Sequence, residues 1–166
     1  MDKLIEAIQD RLEAKVPELK YIDEDWGQMD DYERPPVKYP CALIEVQDAD
    51  YTDDGELRQR GLVMVTIKLY FLRLSNTSNR APQTQKNEAR KNWDTCKKVN
   101  QTLHGQDFLP PGFATLARKK MSPPIRRDGI YNRNIGYAVA FIDDSCVPVR
   151  KTTPASPIIR AVIQTV

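Results

Sequence analysis

The stretch Leu62-Val-Met-Val-Thr-Ile-Lys-Leu-Tyr-Phe-Leu-Arg-Leu74 decides the fold. Val63, Val65, Ile67, Leu69 and Phe71 share one parity, while Thr66, Lys68 and Tyr70 take the other. A strand sends alternate side chains to opposite faces, so this spacing predicts a long strand with one face in the core and the other at least partly wet. A slip of one residue would bury Lys68 and expose the aliphatics, which sets the pairing register firmly.

Upstream, Cys41-Ala-Leu-Ile-Glu-Val46 is a compact apolar run, short enough for a strand buried on much of both faces. Between the two runs, Asp48 to Glu56 is acidic and carries the turn signal Asp53-Asp54-Gly55, which predicts a hairpin connection. Further out, Leu4, Ile5, Ile8, Leu12 and Val16 form the stripe of an amphipathic helix over Asp2 to Val16, ended by Pro17. Tyr21 to Trp26 reads as a short strand, and Met29 to Pro40 as a loop.

Downstream, Ser75 to Gln85 is polar and reads as an exposed connection. A second helix spans about Thr84 to Leu103, with Ala89, Trp93, Cys96, Val99 and Leu103 on its apolar stripe and Gly105 beyond its end. Ala114 to Arg127 alternates weakly, and Asp128-Gly129 then turns into Ile130 to Cys146, a second hairpin. Ile135, Tyr137, Val139 and Phe141 share a parity there, with Ala138 and Ala140 opposite, small enough for a neighbour to approach. The order of blocks predicts an α+β fold: two helices packed on one face of a mostly antiparallel β-sheet with extended β-hairpins. Residues 1–147 form a single domain. Residues 148–166 form an extension punctuated by Pro148, Pro154 and Pro157, whose apolar end from Ile158 to Val166 is suited to adding a strand to this sheet or to another subunit's.

With 166 residues, 40% hydrophobic and 29% charged, the chain has the composition of one globular domain able to bury its own core. A net charge of +2 gives no strong overall field, so electrostatic function rests on local clusters. Cys41, Cys96 and Cys146 are odd in number and lack a CxxC pair, which fits reduced thiols packed as small hydrophobes. The charged N-terminal turn is unlike a secretory signal, and no apolar run reaches membrane-spanning length.

The chemistry-bearing residues do not converge on a catalytic pattern. His104 is the only histidine, which leaves no multi-histidine metal site and points to a surface or helix-capping role. Acids cluster at Asp23 to Asp25, Asp30 and Asp31, Asp53 and Asp54, and Asp143 and Asp144, without EF-hand spacing. A metal-dependent nuclease of the helix, three-strand, helix, strand type needs an acid near a turn and then Glu-x-Lys on the next strand. Asp53 or Asp54 meets the first need, but Thr66-Ile67-Lys68 puts a threonine where a carboxylate must hold the metal. Seven glycines form no phosphate-cradling or nucleophile-elbow motif. The expectation is a non-enzymatic chain without a cofactor or metal. Basic residues gather at Arg58 and Arg60, at Arg118, Lys119 and Lys120, and at Arg126, Arg127 and Arg133, a stripe toward phosphate if the hairpins share one side, or else a charged edge protected against aggregation.

The initial helix, the Val37-Lys-Tyr-Pro-Cys-Ala-Leu-Ile-Glu-Val46 lead into a strand, the Leu62 to Leu74 strand, the Trp93 helix and the final hairpin together resemble tail terminator and tail-completion proteins of long-tailed phages. The similarity covers about Asp2 to Cys146 and is one of order and local pattern, above all the Tyr39-Pro40 step into an apolar strand. It implies a small α+β subunit that closes into a homo-oligomeric ring, usually a hexamer, capping the tail tube and meeting the head-side connector. Tail-tube protein and head–tail connector are then its partners, with transient contact to DNA in the lumen and no membrane. The chain would be made in the bacterial host cytoplasm and reside in the virion tail. Ring closure needs two different patches per subunit, and the residues expected to face a ring neighbour or the lumen are Arg58, Arg60, Arg126, Arg127 and Arg133. The alternative is a nucleic-acid-binding or degenerate nuclease-like module using the same basic groups.

Overall fold

Leu4, Ile8 and Leu12 recur every fourth residue and are fully buried, which draws Asp2–Lys15 (α1) against the sheet by one face. Each such aliphatic contributes about 2 kcal/mol on leaving water. The computed structural model describes residues 1–30, 34–72, 76–127 and 129–148, with Arg127 described in its backbone alone. After α1 come Tyr21–Glu24 (β1), Cys41–Asp53 (β2), Gln59–Leu72 (β3), Gln83–Leu103 (α2), Ala117–Met121 (β4), Ile125–Arg127 (β5) and Ile130–Asp143 (β6). The strands form one sheet in the order β1-β2-β3-β6-β4, and β5 pairs with β6 beside β4. Only β1 and β2 run parallel. This is the α+β architecture expected from the sequence, with both helices on one face.

The alternation in β3 places its odd residues as predicted. Val63, Val65, Ile67, Leu69 and Phe71 lie under the helices with Val139, Tyr137 and Ile135 of β6, and with Leu103, Val99 and Cys96 of α2. The even side is drier than expected at one end. There Cys41, Leu43 and Tyr70 form a second buried cluster with Met29, Val37 and Tyr39, so the described parts of the connection between β1 and β2 roof the face opposite the helices. The connection enters β2 through a cis Tyr39–Pro40 peptide, and Lys20 donates its amide to the Pro40 carbonyl at 2.8 Å.

Four other features differ from the sequence reading. β2 does not stop at Val46: Val46 faces Val65 and Ala49 faces Val63, so two residues oppose Met64 alone in a β-bulge, and pairing then continues to Asp53. The bulge reverses the parity, so Val46 and Ala49 both pack on the core and the acids beyond are part of a strand. Trp93, assigned to the apolar stripe of α2, is 50% exposed. The arm before the last hairpin is two short strands, β4 and β5, with a further irregularity at Arg118/Lys120. Cys146 is exposed while Cys41 and Cys96 are buried, and all three thiols are free. Burial pushes the Cys41 thiol up to about 12 and that of Cys96 to about 11, where a thiolate nucleophile is absent. The strand expected within 158–166 lies outside the described residues, as does part of the Asp128-Gly129 turn.

Candidate functional site

β3 and β6 pair along their whole lengths, from Gln59 opposite Asp143 to Leu72 opposite Ile130. Along β3 the core shared with the helices runs from Phe71 to Val63, and the β2–β3 hairpin continues past it to its tip. Phe141 packs on Gly61 there, between Tyr51 at 5.5 Å and Phe113 at 5.7 Å between ring centroids. A side chain on Gly61 would occupy the ring of Phe141, which is why the strand carries glycine at this point. On the opposite face, Leu62, Ala140 and Ile142 are exposed.

The sheet has two contrasting margins. β1 pairs with β2 only from Cys41 to Ile44, so among the described residues Val46–Asp53 has a strand partner on the β3 side alone. Asp48, Asp50, Asp53 and Glu56 are exposed along and beyond this margin. The opposite margin is β4 followed by β5, where Arg118, Lys119, Lys120 and Arg126 are exposed. At its inner end the Arg118 amide donates to Nδ1 of His104 at 3.1 Å, and Gly105 donates to the Leu116 carbonyl at 2.9 Å. His104 thus sits at the C-terminal cap of α2, in a structural role.

The five arginines singled out in the sequence separate into two groups. Arg58 and Arg60 lie at the β2–β3 tip, where both reach Asp54, at 3.5 and 2.9 Å. Arg126 and Arg133 lie at the other end of the sheet, together with the backbone of Arg127 in β5. Arg60 pairs with Ile142 and Arg126 with Tyr131, eleven positions apart on β6, or about 35 Å at the usual rise per strand residue. No single stripe joins them. Arg133 donates through Nη1 to the Ser122 carbonyl at 3.1 Å and lies 6.0 Å from the Tyr131 ring centre. It lines a shallow depression of ≈ 150 Å³ with Arg126, Tyr131, Asn92 and Trp93.

Sequence reasoning missed one charged cluster. Lys68 projects to the roofed face and donates to Asp25 at 2.5 Å and Glu45 at 3.2 Å, with the Asp25 side chain only 7% exposed. Burial opposes the ammonium charge, but the two carboxylates outweigh it and hold the Lys68 pKa above its ordinary value. The parity of Lys68 and the adjacency of Glu45 to the Cys41 run were visible, but the fold of the connection between β1 and β2 that brings Asp25 was not. Asp53 and Asp54 lie far from this cluster, at the hairpin tip, so the acids and the lysine of the nuclease pattern are not brought together. Among the described residues no group of three or more His, Cys, Asp or Glu side chains is arranged to hold a metal ion, and no helix is long and apolar enough to cross a membrane.

Neither a protein-family model nor a curated protein matches the chain. The fold does have a solved counterpart. A chain in the structure described as the virion of a native gene transfer agent particle superposes with a TM-score of 0.55 at 11% identity, covering 84% of this chain and 95% of that one. At this identity the likeness is one of fold.

Proposed function

We propose that this chain is a structural virion protein that closes into a homo-oligomeric ring, capping a tail tube and joining it to the head-side connector. The observation that carries the reading is the fold shared with a chain of a gene transfer agent virion across nearly all of that chain's length. The sheet supports it: two unlike margins and a hairpin extending past the core shared with the helices are what a head-to-tail closed assembly uses. In this reading the chain transforms no substrate, and Arg126, Arg127 and Arg133 contribute to contacts between copies or to the lumen, where passing DNA is met. Arg58 and Arg60 shape the hairpin tip through Asp54.

The test is to delete the gene in the replicon that carries it and image the particles. Filled heads and tails that fail to join, restored by the chain supplied in trans and accompanied by its detection in purified particles, are the expected result. Normal joined particles lacking the chain would refute the role. The exposed basic margin favours a second reading, a nucleic-acid-binding module, which predicts salt-dependent DNA binding by the monomer.

A further inference from the structure

Between Glu45 and Glu56 the chain carries six acids and no cation. Between Ala117 and Arg127 it carries five cations and no acid. These segments form the opposite margins of the sheet, with β3 and β6 between them, so they cannot neutralise one another within one molecule. Among the described residues, no ion pair engages Asp48, Asp50, Glu56, Arg118, Lys119, Lys120 or Arg126, although charges elsewhere do pair, as in Lys98 with Glu18 and Lys68 with Asp25.

We infer that the acidic β2 margin of one copy seats against the basic β4–β5 margin of the next. The inference rests on the ring reading and names its contact. Charge selects the arrangement: either margin placed against its own copy about a two-fold axis brings like charges together, whereas head-to-tail placement pairs opposite ones. It also removes a hazard, because the free backbone of Val46–Asp53 is covered by the neighbour while its acids discourage pairing with itself.

Geometry adds a constraint on the ring. Three strand-to-strand steps separate β2 from β4, about 14 Å, while Asp50 lies level with Ala140 and the basic residues level with Tyr137 to Tyr131, about 10–30 Å further along the strands. Copies at one height therefore hold their strands inclined by roughly 35–65° to the ring axis. A strongly tilted sheet is a consequence of the stagger.

The experiment uses the full chain in three forms: wild type, D48K/D50K and K119E/K120E. Sedimentation at low salt reads the assembled fraction, and carbodiimide coupling of mixed light and isotope-labelled chains reads which carboxylates meet which lysines between copies. Each variant alone should assemble about tenfold less than wild type, because like charges then face one another at the reversed positions. Mixing the two should restore assembly as alternating rings, since each supplies the margin the other lacks, and this rescue excludes misfolding as the cause of the loss. Wild type should give light–heavy links between Asp48 or Asp50 and Lys119 or Lys120. If wild type assembles and the variants assemble equally well, the contact is wrong and the ring stands. If wild type neither assembles nor yields links between copies at any concentration, ring and contact fall together.

Discussion

Lys68 shows how one side chain ties a connection to the sheet. Replacing it with methionine leaves Asp25 buried without its cation and should lower stability by about 2 kcal/mol, read as a shift of the denaturation midpoint. Because the folded pKa is raised, the contribution is complete below the ordinary lysine value of about 10.4 and disappears as pH rises through the folded value. Above neutral pH, wild type should therefore keep its advantage over K68M until strongly alkaline buffer, and an advantage that vanished on acidification from neutral pH to about 6 would contradict this account. At Gly61 the obstacle is volume. G61A drives a methyl into a Phe141 ring held between Tyr51 and Phe113, and should cost about 2 kcal/mol with loss of the ring's NMR contacts to Tyr51. Neither effect was legible in the sequence, because both depend on which residue lies across a strand or under a roof. The odd face of β3 was legible, since five aliphatic or aromatic residues at a period of two admit one placement.

At the scale of elements, α2 separates what periodicity reveals from what it does not. Its stripe correctly identified Ala89, Cys96, Val99 and Leu103, which are buried on the sheet. A helix's own pattern says which side faces inward but not how far the opposing layer extends, and at Trp93 the apolar sheet has given way to Arg133 and Arg126. Truncating Leu103 to alanine should therefore cost about 3 kcal/mol, whereas W93A should cost less than about 1 kcal/mol, both by chemical denaturation. Equal losses would mean that α2 packs differently along its length. The margins were half legible. Acids and bases were visible as clusters, but the reading of Asp48 to Glu56 as a plain turn overlooked the bulge that lets β2 run on, since an added residue breaks the period of two.

At the scale of the whole molecule, the grouping of arginines was the least legible feature, because residues of like charge in successive hairpins seem to belong together until strand length is considered. Fourteen-residue strands carry the tip and the β5 end to opposite poles, so Arg60 and Arg126 serve different surroundings. The two-layer form itself followed from the order of helices and strands. What order alone did not reveal is that one face of the sheet is roofed over the β1 end and open over the hairpin. The irregularity at Gln47 and Asp48 has one more outcome, for lineage. Loss of a single residue there would leave Val46 opposite Val65 and Ala49 opposite Val63 with every later side chain on its present side, whereas the same loss elsewhere in the hairpin would turn a strand inside out. Descendants of this chain therefore have one joint at which their length can drift without rebuilding the sheet.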